Sequence, residues 1–418
     1  MLRTLHLDTQ ISWRGGQSQA LLLMRGLIER GHIAELMTPR GSPLSLRARH
    51  AGITVHDVSP KFPRVHGAWT LWRILRNRRA NPGVNRPPNG ELNDPEIGPA
   101  NHNFDIVHAH DSHALAAAWL AGVHRQGTLV ASRRVAYQLS KGRLALARYR
   151  AASSIIAVSR FVARSMEDRG IEPPRIAIVY DGVTVPPQVT ADQHERVRSA
   201  ARARWGIAEG DCAVGCVSHL SPEKGQEVLL RALHLLAARD FATEFVPECA
   251  PKVPVTAAEI PGSHAGPRGV RLLLAGAGND RARLESLAKD LGIADRVIFA
   301  GFVDDVGSIY AALDIFLFPS GAEPLGSSLL DAMACGLPCI AVASGGVPEV
   351  LEDGVNGVLV PAPVSPADFA DAVSPLNANP TDAARLGAAA RDSIAARFSA
   401  AHMVGSTLAI YEEVLGRR

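Results

Sequence analysis

The chain has 418 residues, of which 47% are hydrophobic and 20% charged, and a formal net charge of +3 at neutral pH. This length exceeds what one hydrophobic core supports, so we expect two domains of a soluble globular protein. The longest apolar runs, such as residues 114–123, are too short to cross a bilayer, which excludes an integral helical membrane protein.

Cysteine usage and charge distribution bear on the compartment and the partners. The chain has five cysteines and begins with MLRTLHLD, which lacks the apolar core of a signal peptide. An odd number of cysteines without a signal predicts reduced thiols and a cytoplasmic location. Basic residues are in excess in the first half and acidic residues in the second. The first half therefore either meets an anionic surface or substrate, or has an arginine-rich solvated surface.

The first half alternates apolar strands with amphipathic helices. We predict strands at residues 5–8, 33–38, 53–58, 105–110, 129–132, 154–159 and 175–180. A glycine pair, Gly15-Gly16, lies in the loop after the first strand. The segment YDGVTVPPQV at 180–189 reads as an interdomain linker. This alternation predicts a parallel α/β sheet.

A predicted helix at residues 67–79 carries interleaved tryptophans and arginines. Such a stripe is typical of a membrane interface, but a helix packed on a sheet would show the same spacing, and both interpretations stay open. Residues 81–103 are rich in Pro, Asn and Gly and predict an exposed loop.

Three histidines, His108, His110 and His113, lie at or just after the end of the predicted strand at 105–110. His108 and His110 fall on the same side of this strand by alternation, and His110 stands at its carboxyl end. Arg133 and Arg134 follow the next strand, where they could face acceptor or donor charge.

The second half repeats the pattern, with predicted strands at 213–218, 270–275, 314–318 and 339–342 and an insertion at 241–268. Lys224 lies in the loop before a helix, where its charge could neutralise a diphosphate. The pairs of neighbouring cysteines in this half indicate core packing rather than a metal site, because no other Cys or His joins them.

The stretch from 318 to 349 has the order strand, polar loop, helix, strand. Gly326 allows a ligand to approach the backbone, and the following helix terminus favours an anion. Ser327 and Ser328 are predicted to open the helix, with Ser328 and Asp331 forming a capping box. Glu323 and Asp331 would stand about 12 Å apart along a continuous helix, which suits the two ends of an elongated ligand.

The spacing from Glu323 to Asp331 resembles the Glu-x(7)-Glu signature of retaining glycosyltransferases of the GT-B fold (family 4, group 1). The segments AMACGLPCIA, SGGVPE and DGVNGVLVP resemble those that follow it in the family. The chain departs from the pattern in having Asp331 as the second acid. The resemblance implies two Rossmann-like, doubly wound α/β domains facing a cleft. The two domains are an acceptor-binding domain at 1–185 and a nucleotide-sugar-binding domain at 186–398. A C-terminal helix at 399–418 would pack back on the first domain.

The resemblance also implies roles for individual residues. Glu323 and His110 would act in catalysis, with Glu323 orienting the sugar and His110 near it. His219 replaces the arginine usual beside the family's lysine, so phosphate binding would depend on pH. The residues implied to bind the donor are Gly15, Gly16, His219, Lys224, Gly301, Phe302, Leu325, Gly326, Ser327 and Asp331.

The implied reaction moves a sugar from a UDP-, GDP- or ADP-sugar to an acceptor hydroxyl with retention of configuration. The expected acceptor is a lipopolysaccharide core, a polysaccharide, a lipid-linked glycan or a small metabolite. We expect no metal, no further cofactor and no nucleic-acid partner, and an anionic membrane surface on the cytoplasmic side is a further expected partner. A sugar-nucleotide epimerase, a phosphorylase and a non-catalytic nucleotide-sugar-binding protein are the alternatives.

Overall fold

The computed structural model describes residues 1–61, 63–80, 104–126, 128–139, 142–244 and 269–417. The chain divides into two compact units. The first unit is Met1–Gly182 together with Ala400–Arg418, and the second unit is Val183–Ser399. The predicted loop at 81–103 and most of the predicted insertion at 241–268 lie outside the described residues.

The first unit is built on seven strands. They are β1 (Arg3–Leu7), β2 (Ile33–Pro39), β3 (Thr54–Val58), β4 (Ile106–Ala109), β5 (Leu129–Arg133), β6 (Ser154–Ala157) and β7 (Ile176–Ile178). The helices between them are α1 (Gly15–Glu29), α2 (Pro43–His50), α3 (Pro63–Ala80), α4 (Ser112–Leu120), α5 (Arg143–Arg150) and α6 (Arg160–Glu167). Of the strands, β1, β2, β4, β5 and β6 are mostly buried, whereas β3 and β7 are only partly buried.

Every strand pair of this sheet is parallel, in the order β3-β2-β1-β4-β5-β6-β7. The chain moves outward from β1 in one direction and from β4 in the other. The loops after β1 and β4 therefore diverge, and this switch point is where doubly wound sheets bind ligands. The predicted residues Gly15, Gly16 and His110 all follow these two strands.

The second unit repeats this plan with six strands. They are β8 (Cys212–Val217), β9 (Val270–Ala275), β10 (Val297–Gly301), β11 (Ile315–Phe318), β12 (Cys339–Val342) and β13 (Val358–Val360). Its helices are α7 (Ala191–Trp205), α8 (Gln226–Glu244), α9 (Arg281–Asp290), α10 (Gly307–Ala312), α11 (Ser327–Ala334), α12 (Pro366–Ala378) and α13 (Pro380–Arg397).

The second sheet is also parallel, in the order β10-β9-β8-β11-β12-β13, so its switch point lies between β8 and β11. Two of its strands, β10 and β13, were not among those predicted from the sequence. Both are edge strands. Each residue of β10 is only half-buried, and β13 has three residues, so neither has a long apolar run.

Two local predictions were wrong. The helix α11 has Gly326 as its N-cap, with φ of +107° and no side-chain cap, so Ser328 and Asp331 form no capping box. The positive φ favours glycine over a capping residue at this position, and a Cβ at Gly326 would make a tight contact of 3.1 Å with the Phe318 ring. Gly15 and Gly16 do not form a loop either, because α1 already begins at Gly15.

The last helix, α14 (Ala400–Gly416), belongs to the first unit. Its apolar side chains join a core cluster with Leu23, Met24 and Leu27 of α1. The buried side chains that α14 contributes to that cluster are Met403, Val404, Tyr411 and Val414. In the described parts of the chain, no helix combines the length and apolar character needed to span a membrane.

Candidate functional site

The switch point of the second unit brings together two loops, one of which carries a basic residue and the other an acidic residue. The loop after β8 contains Lys224, and the loop after β11 contains Glu323. Since β8 and β11 are neighbouring parallel strands, both loops leave the same edge of the sheet. The two residues are 99 positions apart in the sequence, and the fold brings their side chains into contact.

Lys224 donates a hydrogen bond from Nζ to Oε1 of Glu323, forming an ion pair. Glu323 is buried, with 7% of its surface exposed, whereas about a quarter of the Lys224 side chain (27%) remains exposed. A buried carboxylate needs such a partner because removing an unpaired charge from water is costly. Lys224 supplies that partner, and the ion pair reaches solvent on the lysine side.

A glycine turn holds the backbone of Glu323. The Gly346 N–H donates to the Glu323 carbonyl at 3.0 Å. Gly345 has φ of +60°, and a Cβ built there would lie 2.0 Å from the same carbonyl oxygen. The hydroxyl of Ser344 donates to the carbonyl of Gly321 in the same loop. The SGGVPE segment therefore positions the Glu323 loop, and Gly345 has no room for a side chain.

Asp331 lies on α11 in a different environment. Burial alone raises the pKa of its carboxyl group to about 6. Within the described residues, no donor from the protein contributes to that pKa shift. A half-buried carboxylate without a donor is ready to accept hydroxyl groups from a ligand.

The remaining predicted donor-binding residues of this unit lie at or after the carboxyl ends of its strands. His219 is exposed after β8, and its carbonyl accepts from the buried Gln226 amide at 2.9 Å. Gly301 ends β10, and the Phe302 side chain is 63% exposed. Leu325 is buried, and Ser327 is the first residue of α11, half-buried.

The switch point of the first unit holds a buried polar network. Asp8, directly after β1, accepts from the Gln10 N–H and the Gln17 amide, each at 2.9 Å. Burial, and next the nearby Asp111, raise the pKa of Asp8 to about 7. Asp111 accepts from Thr9 and also caps α4 through the N–H groups of its first turn.

His110 lies beside this network at the end of β4, with 7% of its surface exposed. Its Nε2 is 2.9 Å from Nδ1 of His6, and its Nδ1 is 3.3 Å from Nη1 of Arg134. The Nε of Arg134 donates to the buried Asp181 at 2.9 Å. Burial first, and then the charges of neighbouring groups, lower the pKa of His110 well below its usual value, so the ring is neutral at pH 7.

The neighbouring residues have structural partners. His108 is fully buried and bonds through its two nitrogens to Tyr411 Oη and Ser132 Oγ, both at 2.7 Å. Arg133 is buried and donates to Tyr149 and to the Tyr137 carbonyl. The prediction that Arg133 faces ligand charge was therefore wrong, whereas Arg134 stands beside His110.

Sequence reasoning missed His6 and Asp8. Among the described residues, ring nitrogens of His6, His108 and His110 lie within 4.8 Å of one another, a spacing that could hold a metal ion. Their nitrogens, however, bond to one another and to Thr4, Tyr411, Ser132 and Arg134. A single histidine in an apolar strand gives no local signal, but Asp8 could have been found as the polar residue that ends β1.

Comparison with known proteins decides the family. The model described as "Glycosyltransferase Family 4" matches residues 13–185, and "Glycosyl transferases group 1" matches residues 256–393. A D-inositol 3-phosphate glycosyltransferase of Salinispora arenicola is 30% identical over 339 residues, which covers 77% of this chain and 71% of that protein. The chain belongs to the family 4 (group 1) glycosyltransferases. The enzyme of the same description from Mycolicibacterium vanbaalenii is 31% identical over 74% of this chain and 66% of its own length, so the chain spans about two thirds of that relative.

Solved structures of other glycosyltransferases share the fold. The crystal structure of Anabaena HepE in complex with UDP-glucose superposes with a TM-score of 0.72 at 21% identity, covering 98% of this chain and all of HepE. This likeness and the two doubly wound sheets confirm the GT-B fold that the sequence resemblance implied. The match of the second family model, over residues 256–393, includes both Glu323 and Asp331.

Proposed function

We propose that this glycosyltransferase moves a sugar from a nucleoside-diphosphate sugar to an acceptor hydroxyl, with retention of configuration. The observation that carries the proposal is the arrangement of Lys224, Glu323 and Asp331. Lys224 and Glu323 stand on the loops after two neighbouring strands, and Asp331 stands on the helix that follows the second loop, in a different environment. A nucleoside-diphosphate sugar offers an anionic diphosphate, a ribose diol and a sugar, which match these three groups.

Each group takes the ligand part that its environment suits. Asp331, lacking a protein donor, accepts the ribose hydroxyls. Lys224 turns from Glu323 to the diphosphate, whose negative charge grows as the sugar bond breaks. His219 and the N–H groups at Leu325 to Ser327 assist it. Glu323, released from the lysine, then faces the sugar, where positive charge develops in the transition state.

The first unit binds the acceptor in this proposal. His110 follows β4 and contacts Arg134 at 3.3 Å, and α1 begins with Gly15-Gly16 after β1, the other strand of the switch point. A paired arginine at a ligand edge suits an acceptor with a phosphate or other anion. Because some relatives are described as D-inositol 3-phosphate glycosyltransferases, we would test phosphorylated inositol first as the acceptor, followed by lipopolysaccharide core and lipid-linked glycans.

We also propose that α3 rests on an anionic membrane. Its buried face includes Gly67 and Leu71, with Gly67 close to Ala117 of α4. Trp69 and Trp72 lie outward, 51% and 45% exposed. Exposed tryptophans with nearby arginines suit the headgroup region of a bilayer.

The test is a donor-hydrolysis and transfer assay with a panel of UDP-, GDP- and ADP-sugars, with and without these acceptors. We expect one nucleotide to be released, faster with the correct acceptor, and an α-linked donor to give an α-linked product. Conversion of the sugar nucleotide without release of nucleoside diphosphate would favour an epimerase. Tight donor binding with no conversion would favour a non-catalytic binding protein.

A further inference from the structure

A chain of buried hydrogen bonds runs from the edge of the first sheet into its interior. Its members are Arg134, His110, His6, Thr4 and the carbonyl of Ile33. The successive distances are 3.3 Å from Arg134 Nη1 to His110 Nδ1, 2.9 Å from His110 Nε2 to His6 Nδ1, 3.0 Å from His6 Nε2 to Thr4 Oγ1, and 3.2 Å from Thr4 Oγ1 to Ile33 O.

The two ends of this chain fix the direction of every bond in it. A guanidinium can only donate, so His110 Nδ1 must carry a lone pair, and its proton is on Nε2. That proton is donated to His6 Nδ1, which places the proton of His6 on Nε2. His6 then donates to the Thr4 hydroxyl, which donates to the Ile33 carbonyl, a group that can only accept.

We propose that His6 is a positioning residue, which holds His110 in the Nε2–H tautomer with the Nδ1 lone pair directed to the ligand edge of the sheet. This inference rests on the proposed role of His110 in sugar transfer. A ligand hydroxyl that replaces Arg134 at Nδ1 must then act as a donor.

Burial and charge agree with this assignment. His6, His110 and Thr4 are almost completely buried, so water does not compete for their protons. Burial, and after it the charge of Arg134, lower the pKa of His6 to about 3, so His6 is neutral at pH 7 like His110. Two neutral imidazoles can share one N–H···N bond, whereas two imidazolium ions could not.

The chain offers matched variants for the test. In His6→Asn the side-chain oxygen can stand near the position of Nδ1 and accept the His110 proton. His6→Phe keeps a ring in the same space but removes the acceptor. Thr4→Val and Thr4→Ser make a second pair, two bonds away from His110, that removes or keeps the hydroxyl.

The direct measurement is the long-range ¹H–¹⁵N spectrum of the full-length protein labelled at histidine, with His110→Gln used to assign the His110 signals. We expect wild type to show His110 protonated at Nε2 and unprotonated at Nδ1. His6→Asn should keep this pattern, and His6→Phe should shift it toward a mixture of tautomers. A wild-type His110 with its proton on Nδ1, or a pattern that His6→Phe leaves unchanged, would overturn the inference.

Kinetics supply the second readout. His6→Phe should lower kcat by about tenfold or more, as lost outer-shell partners commonly do, with a smaller change in donor KM. His6→Asn should recover most of that loss. If His6→Phe does not fold, the two Thr4 variants replace it, and Thr4→Val should then have a lower kcat than Thr4→Ser. Equal kcat values for these two variants would count against the inference.

Two other outcomes separate this inference from its alternatives. A Co²⁺ complex of the wild-type protein, seen by its visible absorption and abolished by His6→Phe, would overturn the hydrogen-bonded assignment in favour of a metal site. The expected tautomer pattern in a protein that releases no nucleotide from any donor would instead contradict the proposed function, and with it any role of His6 in transfer.

Discussion

At the scale of single residues, Lys224 and Glu323 neutralise each other in the ligand-free protein. This pair stabilises a carboxylate in a buried position, yet it occupies both groups that we propose for donor binding. In that proposal, the diphosphate replaces the Glu323 carboxylate as the partner of Lys224. The buried Glu323 carboxylate would then lose its lysine only when a diphosphate is present, and the positive charge that develops on the sugar would offset that loss.

Our first prediction divides the two carboxylates by role. Glu323→Gln removes a charge that matters where positive charge develops, so kcat should fall by on the order of a hundredfold or more, with nucleotide affinity little changed. Asp331→Asn should raise the donor KM and change kcat less, because the ribose is bound equally in both states. Steady-state kinetics and calorimetry with free nucleotide measure both effects. Full turnover by Glu323→Gln would remove Glu323 from the mechanism.

A second prediction follows from the pKa of Asp331, which is about 6 in the folded protein and near its ordinary value of 3.8 when unfolded. Because the folded pKa is the higher one, ionising this group disfavours the folded state, and stability is lost as pH rises from about 4 to 6. Asp331→Asn should therefore be more stable than wild type at pH 8, by about 1–3 kcal/mol.

The same comparison at pH 5 is its control. Wild-type Asp331 is then mostly protonated in the folded protein, so the advantage of Asp331→Asn should shrink. Urea unfolding at both pH values measures it. An equal difference at pH 5 and pH 8 would mean that the effect does not come from ionisation.

The sequence predicted residues whose role is local and missed those whose partners are remote. Lys224 and Glu323 were found because each lies in a recognisable loop after a strand. His6 was not found because its partner His110 is 104 positions away, and only strand pairing between β1 and β4 brings them together. The assigned roles of the site residues remain proposals.

At the scale of elements, the SGGVPE turn acts on the Glu323 loop through its backbone. Our third prediction is that Gly345→Ala lowers kcat on the order of a hundredfold, because the new methyl group would displace the Glu323 carbonyl. Nucleotide binding at Asp331 should change little. Gly354→Ala is the matched control, since Gly354 has φ of +71° but no neighbour within 4 Å of its Cβ position.

Both glycine variants incur a similar left-handed backbone cost, of about 1 kcal/mol. A loss of activity caused by destabilisation alone would thus appear in both. Thermal unfolding of the two proteins gives the comparison. If Gly354→Ala loses as much turnover as Gly345→Ala, the turn does not position Glu323.

Our fourth prediction concerns the membrane contact proposed for α3. Arg73 and Arg76 stack on Trp69 and Trp72 at 5.0 and 4.8 Å. Binding to vesicles should rise with the fraction of anionic lipid and fall with salt, because exposed charges are screened. Replacing Arg73, Arg76, Arg78 and Arg79 by Gln should weaken it by several-fold or more.

The control removes arginines elsewhere in the first unit. Arg160→Gln with Arg164→Gln changes two exposed arginines of α6. This double variant is compared with Arg73→Gln and Arg76→Gln in a vesicle co-sedimentation assay. Equal losses of vesicle binding from both pairs of substitutions would indicate a general charge effect. Vesicle binding that does not change with salt concentration would exclude the proposal.

The elements that the sequence predicted well are those with long apolar runs. The strands β8, β9, β11 and β12 were placed within a residue or two. The strands β10 and β13 were missed because edge strands bury little and carry little pattern. The capping box failed because the positive φ at the cap favours glycine over a capping residue, and a Cβ there would make a tight contact with Phe318.

At the scale of the whole molecule, the chain returns to its first unit through α14. The hydroxyl group of Tyr411 forms a hydrogen bond of 2.7 Å with Nδ1 of His108, which lies 303 positions earlier in the chain. Our fifth prediction is that Tyr411→Phe destabilises the protein by about 1–3 kcal/mol, because it leaves a buried nitrogen without a partner. Urea denaturation measures this change.

Glu412→Gln, at an exposed position of the same helix, is the control and should have little effect. A Tyr411→Phe protein as stable as wild type would show that the hydrogen bond is replaced by another partner. The GT-B fold itself was predictable, because the alternation of strands and helices occurs twice in the chain. The return of the last helix to the first unit was also expected from the family resemblance. The bond from Tyr411 to His108 was not predictable, because only packing brings two residues 303 positions apart into contact.

The discontinuous first unit has a consequence for how the protein is made. The ribosome completes β1 to β7 early, but α14, which packs on α1, is made only after the whole second unit. At ~5–20 residues per second, translation of residues 183–399 leaves the nascent first unit without α14 for tens of seconds. The apolar surface of α1 that Val404 later covers lacks this cover during that interval. The newborn chain therefore exposes an apolar surface on its first unit until α14 has been made.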